Sequence, residues 1–142
     1  VSHVSHGFEI VHSIFKNWKF TTMDTIVAFG LHGALLCGPF VEILEVEKSI
    51  WLEELSSFNI TLSCNGKEVD KGHASNVLEV GPLEALRHIL LDNKNLGCQV
   101  ILNPGDLVTT GTLTGAFSIK GDEVWSTELH GIRLRGIEVK FN

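Results

Sequence analysis

One stretch of the sequence carries a strong signal for an antiparallel hairpin. Apolar and polar residues alternate from position 58 to 64, with one face formed by Phe58, Ile60, Leu62 and Cys64. Asn65-Gly66 follows, and a second short extended run occupies positions 67–70. Because Asn-Gly suits the left-handed positions of a type I′ turn, this pattern predicts a two-residue hairpin. A chain with this feature is predicted to build around antiparallel strands.

The segment from Asn103 onward extends that prediction. Two Gly-Asp turns, at 105–106 and 121–122, bracket a stretch rich in Thr and Gly with β-branched flanks. We predict strands at 100–102, 107–110, 113–119, 124–129 and 136–141. Four threonine hydroxyls lie beside glycines, where backbone can approach a ligand closely, so this stretch is a candidate floor for a small polar anion.

The remaining elements follow from apolar spacing and turn residues. Residues 8–12 predict a strand, 16–24 a polar turn region, and 46–55 and 82–91 two helices, the second with Pro82 at its first position. Residues 25–37 fit either a buried helix or a strand–loop–strand, ended by Gly38-Pro39. The predicted class is α+β, sheet-rich, with one or two short helices in a single domain over residues 1–142.

Composition excludes several classes of function. The net charge of −6 and the pI near 5.6 argue against nucleic-acid binding, which needs a basic face. No stretch approaches the ~18 apolar residues of a membrane span. Three widely spaced cysteines, Cys37, Cys64 and Cys98, form no CxxC pair, so we expect buried small hydrophobes in a reducing compartment and a cytoplasmic location.

Four segments together resemble one known family. They are the tail from Asn103, residues 7–13 (GFEIVHS), Trp18 followed by Asp24, and residues 72–86 (GHASNVLEVGPLEAL). In this order they resemble the C-terminal region of the fumarylacetoacetate hydrolase superfamily, in the branch of 2-oxopent-4-enoate hydratase and 4-oxalocrotonate decarboxylase. The resemblance implies a mixed β-sandwich roll. Relatives are longer and carry a Glu-x-Glu metal-binding pair upstream, so we expect this chain to be a C-terminal part, truncated upstream.

Glu9 is the candidate metal ligand. It lies in an apolar strand, where it is either an outward-facing residue or a carboxylate that needs a partner such as a hard divalent cation. The resemblance favours the second interpretation and implies Mg²⁺ or Mn²⁺, with further carboxylates from outside this chain. His3, His6 and His12 flank Glu9 at spacings that would suit zinc on a helix, although Gly7 and the β-branched neighbours favour a strand.

Four further residues are candidates for the substrate site. Relatives have an Asp-Asn-Ala-Ser-like stretch where this chain has Ala28 and Phe29, which leaves His32 as the titratable group there. His32 is therefore a candidate acid or base, or else a structural histidine. The resemblance implies that the loop carrying Thr110 and Thr112 binds a substrate carboxylate or keto group, whereas ordinary strand threonines are the alternative. Lys19 either pairs with a substrate carboxylate or is a solvated turn residue.

These residues predict a metal-dependent hydratase. The implied substrates are 2-keto or 2-hydroxydienoic acids such as 2-oxopent-4-enoate, intermediates of aromatic-compound catabolism. The alternatives are a 4-oxalocrotonate-type decarboxylase, which shares the metal-stabilised enolate, and an inactive remnant or oligomerisation module. We expect a homo-oligomer whose partner is a small 2-keto acid.

Overall fold

Short strands and three α-helices alternate along the described residues, 1–95 and 102–142, of the computed structural model. The strands are β1 (His3–Val4), β2 (Gly7–Val11), β3 (His32–Cys37), β4 (Val41–Glu42), β5 (Asn59–Cys64), β6 (Lys67–His73), β7 (Val124–His130) and β8 (Glu138–Lys140). The helices are α1 (Thr22–Val27), α2 (Lys48–Ser57) and α3 (Pro82–Asn95). The α+β class is confirmed, but three helices are present where one or two were predicted.

The largest sheet contains the predicted hairpin. Its four strands run in the order β6-β5-β7-β8, and each pairs with its neighbour in antiparallel fashion. Asn65 and Gly66 both adopt positive φ, 51° and 74°, as a type I′ turn requires. Phe58, Ile60 and Leu62 are buried on one face. Asn65-Gly66 therefore predicted the turn correctly, and the alternation predicted the buried face, at whose end Cys64 is half-buried.

Two smaller antiparallel sheets, β1–β4 and β2–β3, carry the N-terminal part of the chain. Every strand pairing among the described residues is antiparallel. These pairings agree with the predicted sheet-rich class, while the finer description as a mixed sandwich roll stays a prediction.

The core lies where α2 meets the C-terminal segment. Trp51, Leu55 and Leu134 form a buried cluster, with further apolar residues packed against it from β1, β4, α3 and β7. Arg133 holds this contact from outside: its guanidinium lies 2.7 Å from Glu47 and 3.2 Å from Glu54. The same guanidinium carbon lies 5.1 Å from the centre of the Trp51 ring, a cation–π contact. Helix α2 and the residues before β8 are thus joined by apolar burial and ion pairs.

The prediction for residues 25–37 was wrong in both of its forms. The segment ends α1, makes a 3₁₀ turn at Phe29–Leu31 and then forms β3. Several of its apolar side chains are also exposed: Ile26 and Val27 are largely exposed and Phe29 is 88% exposed, whereas Leu31 is buried. Apolarity alone predicted burial here, but a short helix followed by a turn leaves these side chains on the surface.

The strands predicted at 107–110 and 113–119 are absent, because residues 102–123 contain neither helix nor strand. Gly111 has φ of 122°, which interrupts an extended backbone. Thr propensity also cannot replace a partner strand, and none pairs with these residues in the described part of the chain. The predicted strand at 100–102 falls largely outside the described residues.

The structure also bears on the predictions for the cysteines and for membrane-spanning segments. Cys37 is exposed and Cys64 half-buried, so the predicted burial fails for Cys37, and Cys98 lies outside the described residues. No helix in the described ranges combines the length and apolarity needed to cross a membrane.

Candidate functional site

Glu9 lies in the middle of the β2–β3 ladder. It pairs with Leu35, while Ile10 pairs with Ala34. The register then shifts, and Val11 pairs with His32 instead of Gly33. Gly33 is therefore the extra residue of a β-bulge. Such bulges re-aim side chains on the bulged strand.

The bulge depends on glycine. A Cβ at Gly33 would lie 2.8 Å from the Ile10 carbonyl oxygen and 3.1 Å from the Cβ of His12, which is too close for any other residue without a shift. Just before it, Phe29, Gly30 and Leu31 all have positive φ, between 53° and 67°. Two of these three residues are bulky, and such conformations persist only where surrounding contacts enforce them.

The bulge brings Glu9, the candidate metal ligand, into contact with His32, the candidate acid or base. His32 Nδ1 lies 3.0 Å from Glu9 Oε1. Both side chains are near half exposure, 47% for His32 and 43% for Glu9. Two residues that are 23 positions apart in the sequence thus form a hydrogen-bonded pair at the surface of the ladder.

Glu9 is also among the residues that line a large cavity of about 1790 Å³. Thr110 and Thr112 line the same cavity, together with apolar residues such as Phe8, Ile60 and Phe117. Lys19 and His32 are not among its lining residues, and no Lys or Arg is found among the described residues that line it. The structure therefore brings Glu9 and the two threonines to one cavity and leaves Lys19 exposed outside it.

The Thr/Gly segment is held at this cavity by β6 and the turn after it. The Gly115 N–H donates to Asp70 Oδ2 at 2.7 Å, and Asn76 Nδ2 donates to the Leu113 carbonyl oxygen at 2.8 Å. At Gly72 a Cβ would lie 2.1 Å from the Leu113 oxygen, so the backbones approach directly. Asp70 and Asn76 were not predicted as functional, because no sequence pattern links them to this segment.

The two threonine hydroxyls differ in their partners. Thr112 Oγ1 donates to the Thr114 carbonyl oxygen at 2.8 Å, so its proton is used locally. The Thr110 side chain is half-buried and makes no hydrogen bond within the described ranges. Of the two, Thr110 has the hydroxyl that is available to a ligand in the cavity.

His6, unlike His32, is among the residues that line the cavity, and its surroundings are structural. Its Nε2 lies 3.0 Å from Thr127 Oγ1, which also accepts the Ile137 N–H at 3.0 Å. The Thr127 hydroxyl in turn donates to the Ile137 carbonyl oxygen at 3.4 Å. Burial lowers the pKa of His6 to about 4, so the ring is neutral at ordinary pH.

Of the candidate residues, Glu9 alone is suited to bind a divalent cation. Glu9 is a partly exposed carboxylate on a cavity wall, which suits a hard dication. However, no group of three or more His, Cys, Asp or Glu side chains gathers around a common point in the part of the chain that is described. The zinc site considered for His3, His6 and His12 is therefore not formed, and any Mg²⁺ or Mn²⁺ would need ligands beyond these residues.

Comparison with solved structures identifies the fold. A 4-oxalocrotonate decarboxylase from Pseudomonas putida G7, complexed with magnesium and adipate, matches 99% of this chain with a TM-score of 0.82 at 18% identity. The same enzyme complexed with calcium and acetate matches 99% with a TM-score of 0.77 at 15% identity. This chain therefore shares its fold with about half of that decarboxylase. The resemblance predicted from the sequence is confirmed at the level of fold.

The match covers only part of the solved structures. This chain spans 49% of the length of those structures, consistent with the C-terminal part of the fold. No protein-family model and no curated protein matches the sequence. The fold is thus known from structure, whereas the reaction must be inferred from the site.

Proposed function

We propose that this chain is the C-terminal half of a metal-dependent lyase that decarboxylates a 2-keto dioic acid. The observation that carries the proposal is the fold likeness over 99% of the chain to a 4-oxalocrotonate decarboxylase. The hydratase reaction predicted from the sequence has less support, because both similar structures are decarboxylases. Glu9, Thr110 and Thr112 line one cavity, which supports a site for an acidic substrate.

The reaction makes definite demands on the site. The C–C bond to a carboxyl group breaks, CO₂ leaves, and the electron pair passes into the conjugated keto system as an enolate that later takes a proton. A bound dication supplies Lewis-acid stabilisation of that enolate charge. Glu9 contributes one carboxylate toward the cation. The apolar part of the cavity lining lowers the local dielectric and so strengthens electrostatic interactions with the substrate.

The charges of the cavity lining favour a bound cation beside an acidic substrate. The similar structure holds magnesium together with adipate, a dicarboxylate. In this chain the described residues that line the cavity include no Lys or Arg, so a substrate with two negative charges would lack side-chain counter-charges there. We infer that a dication neutralises one end of the substrate, while the hydroxyl of Thr110 donates to the other.

Several sequence-based expectations remain predictions. They are the acid or base role of His32, substrate binding by Lys19, a homo-oligomeric state and a cytoplasmic location. The choice between Mg²⁺ and Mn²⁺ also stays open, since the similar structures contain magnesium and calcium.

The proposal is tested by Glu9→Gln in the whole protein. We expect metal-dependent release of CO₂ from a 2-keto dioate to fall by at least about 100-fold, because the substitution removes a charged ligand without changing shape. The matched control is Glu42→Gln, at the exposed end of strand β4, which should leave turnover unchanged. Unchanged turnover in Glu9→Gln would reject the assignment, and faster hydration of a 2-hydroxydienoate than decarboxylation would favour the hydratase.

A further inference from the structure

We propose that His32 is a positioning residue for Glu9. In this proposal the His32 Nδ1–H group holds one carboxylate oxygen, which leaves the other oxygen to face the cavity. The proposal rests on the proposed role of Glu9 as a metal ligand. It replaces direct proton transfer by His32 with an action through Glu9.

In the hydrogen bond between His32 and Glu9, the imidazole is the donor. An ionised carboxylate only accepts hydrogen bonds, so at 3.0 Å from Glu9 Oε1 the proton must lie on His32 Nδ1. Glu9 Oε2 makes no hydrogen bond in the ranges that the structure describes. Glu9 lines the cavity and His32 does not, so the imidazole contacts a cavity-lining carboxylate without being part of the lining itself. This is the arrangement in which an outer partner orients a ligand.

The β-bulge at Gly33 creates this contact. In a regular ladder, Glu9 and Val11 would share one face of β2, and Gly33 would pair with Val11. His32 would then stand opposite His12, on the other face. Because the extra residue shifts the pairing, His32 stands opposite Val11 instead, on the face of Glu9. One inserted residue therefore moves the imidazole from one side of the ladder to the other.

The backbone directly before His32 is strained, and contacts with the rest of the chain hold it in place. Phe29 and Leu31 both have positive φ, an unfavourable state for bulky residues. Leu31 is nevertheless buried, and its carbonyl oxygen accepts the His12 N–H at 2.8 Å. Contacts of this kind hold a strained turn in place directly before the residue that reaches Glu9. Strain maintained in this way is typical of functional sites.

A conservative variant separates positioning from acid or base catalysis. The side-chain amide of asparagine can place an N–H near the position of Nδ1 but does not titrate. His32→Asn should therefore preserve a positioning role and abolish an acid or base role. His32→Ala should abolish both. The matched control is His12→Asn, an exposed histidine at the end of the same ladder.

The first measurement is Mn²⁺ binding to the whole protein, followed by the electron paramagnetic resonance signal of free Mn²⁺. We expect His32→Ala to weaken binding about 10- to 100-fold, as loss of an outer partner does. His32→Asn should bind within about threefold of the wild type, and His12→Asn should match it. The second measurement is the ¹⁵N spectrum of the His32 ring without metal. The Nδ1-protonated tautomer should dominate, and Glu9→Ala should remove that preference.

The outcomes distinguish this inference from the proposed function. If His32→Ala binds Mn²⁺ as the wild type does while Glu9→Gln does not bind, positioning by His32 is wrong and the ligand role of Glu9 stands. If His32→Asn is as weak as His32→Ala, the imidazole itself is required and positioning is again overturned. If Glu9→Gln retains full affinity, the proposed function fails. In that case a tautomer preference lost in Glu9→Ala would still establish the contact.

Discussion

The β5–β6 hairpin and the β2–β3 ladder are both antiparallel pairs with a register shift, but they use it differently. In β5–β6 the shift follows Leu62, and the strand is fixed by the buried side chains of Ile60 and Leu62. In β2–β3 the shift follows Ile10, and the side chains next to it, Glu9 and His32, are about half exposed. One pair is organised by burial, and the other by a backbone irregularity that brings two polar side chains together.

Stability and the Glu9–His32 contact therefore depend on different strand pairs of this fold. Burial of the β5 face contributes to the free energy of folding, because apolar surface leaves water there. The β2–β3 ladder buries less and carries the polar contact, so its changes should affect the site before they affect the fold. Substitutions in the two pairs should therefore differ in their effects on stability and on the Glu9–His32 contact.

The largest effect on stability is expected in the hairpin. Leu62→Ala should lower the free energy of unfolding by about 2–5 kcal/mol, because a buried leucine leaves a cavity. Leu35→Ala, at a half-buried position opposite Glu9, should cost less than half of that. Urea unfolding of both variants checks this ordering. Equal losses would show that the ladder is as much a part of the core as the hairpin.

Gly33→Ala should break the bulge at a smaller cost. The added Cβ would meet the Ile10 carbonyl oxygen at 2.8 Å, so we expect a loss of about 1–3 kcal/mol from backbone rearrangement. The Nδ1 tautomer preference of His32 should also be lost. Gly121→Ala is the control, since a Cβ there has no atom within 4 Å. If Gly33→Ala keeps the His32 tautomer, the bulge is not what positions the imidazole.

His6 makes the free energy of unfolding depend on pH, by an amount similar to the loss expected for Gly33→Ala. Its pKa is lowered from 6.5 to about 4 by burial, so between these values the unfolded chain takes up a proton that the folded chain does not. Stability due to neutral His6 is complete above pH 6.5 and falls by roughly 1 kcal/mol per pH unit toward pH 4. Urea unfolding at several pH values measures the slope. His6→Gln should flatten it, and an unchanged slope would assign it to other groups.

The smallest effect is expected where the Thr/Gly segment meets β6. Asn76→Ala removes the hydrogen bond to the Leu113 carbonyl and should cost about 0.5–1.5 kcal/mol at most. Hydrogen exchange at Gly115 should accelerate, while β5 stays protected. Ser118→Ala, an exposed residue of the same segment, serves as the control. Exchange at Gly115 that does not respond would mean that Asp70 alone holds the segment.

The sequence predicts a secondary-structure element correctly where several local signals agree. The Asn65-Gly66 turn and helix α3 were predicted because turn chemistry, capping and apolar spacing agree there. Residues 107–119 were predicted as strands from Thr and β-branched propensity, but strand formation also needs a partner, which propensity cannot provide.

The site was only partly predictable for a related reason. Glu9 and the threonines were singled out by resemblance, and the structure brings them to one cavity. The contact between Glu9 and His32 was not predicted, because period-two alternation assigns faces on the assumption of regular pairing. A single inserted glycine reverses that assignment, and the pair Gly33 and His32 reads in the sequence like any other dipeptide.

The way Leu134 and Arg133 close over α2 has a consequence for biosynthesis. Trp51 cannot leave water fully until residues more than 80 positions later have emerged from the ribosome, because they supply one side of its environment. Contacts of such long sequence separation slow folding. A nascent chain that stalls before this point would present an uncovered indole and its leucine neighbours to chaperones. Premature termination should therefore be recognised by quality control even when the upstream strands have already paired.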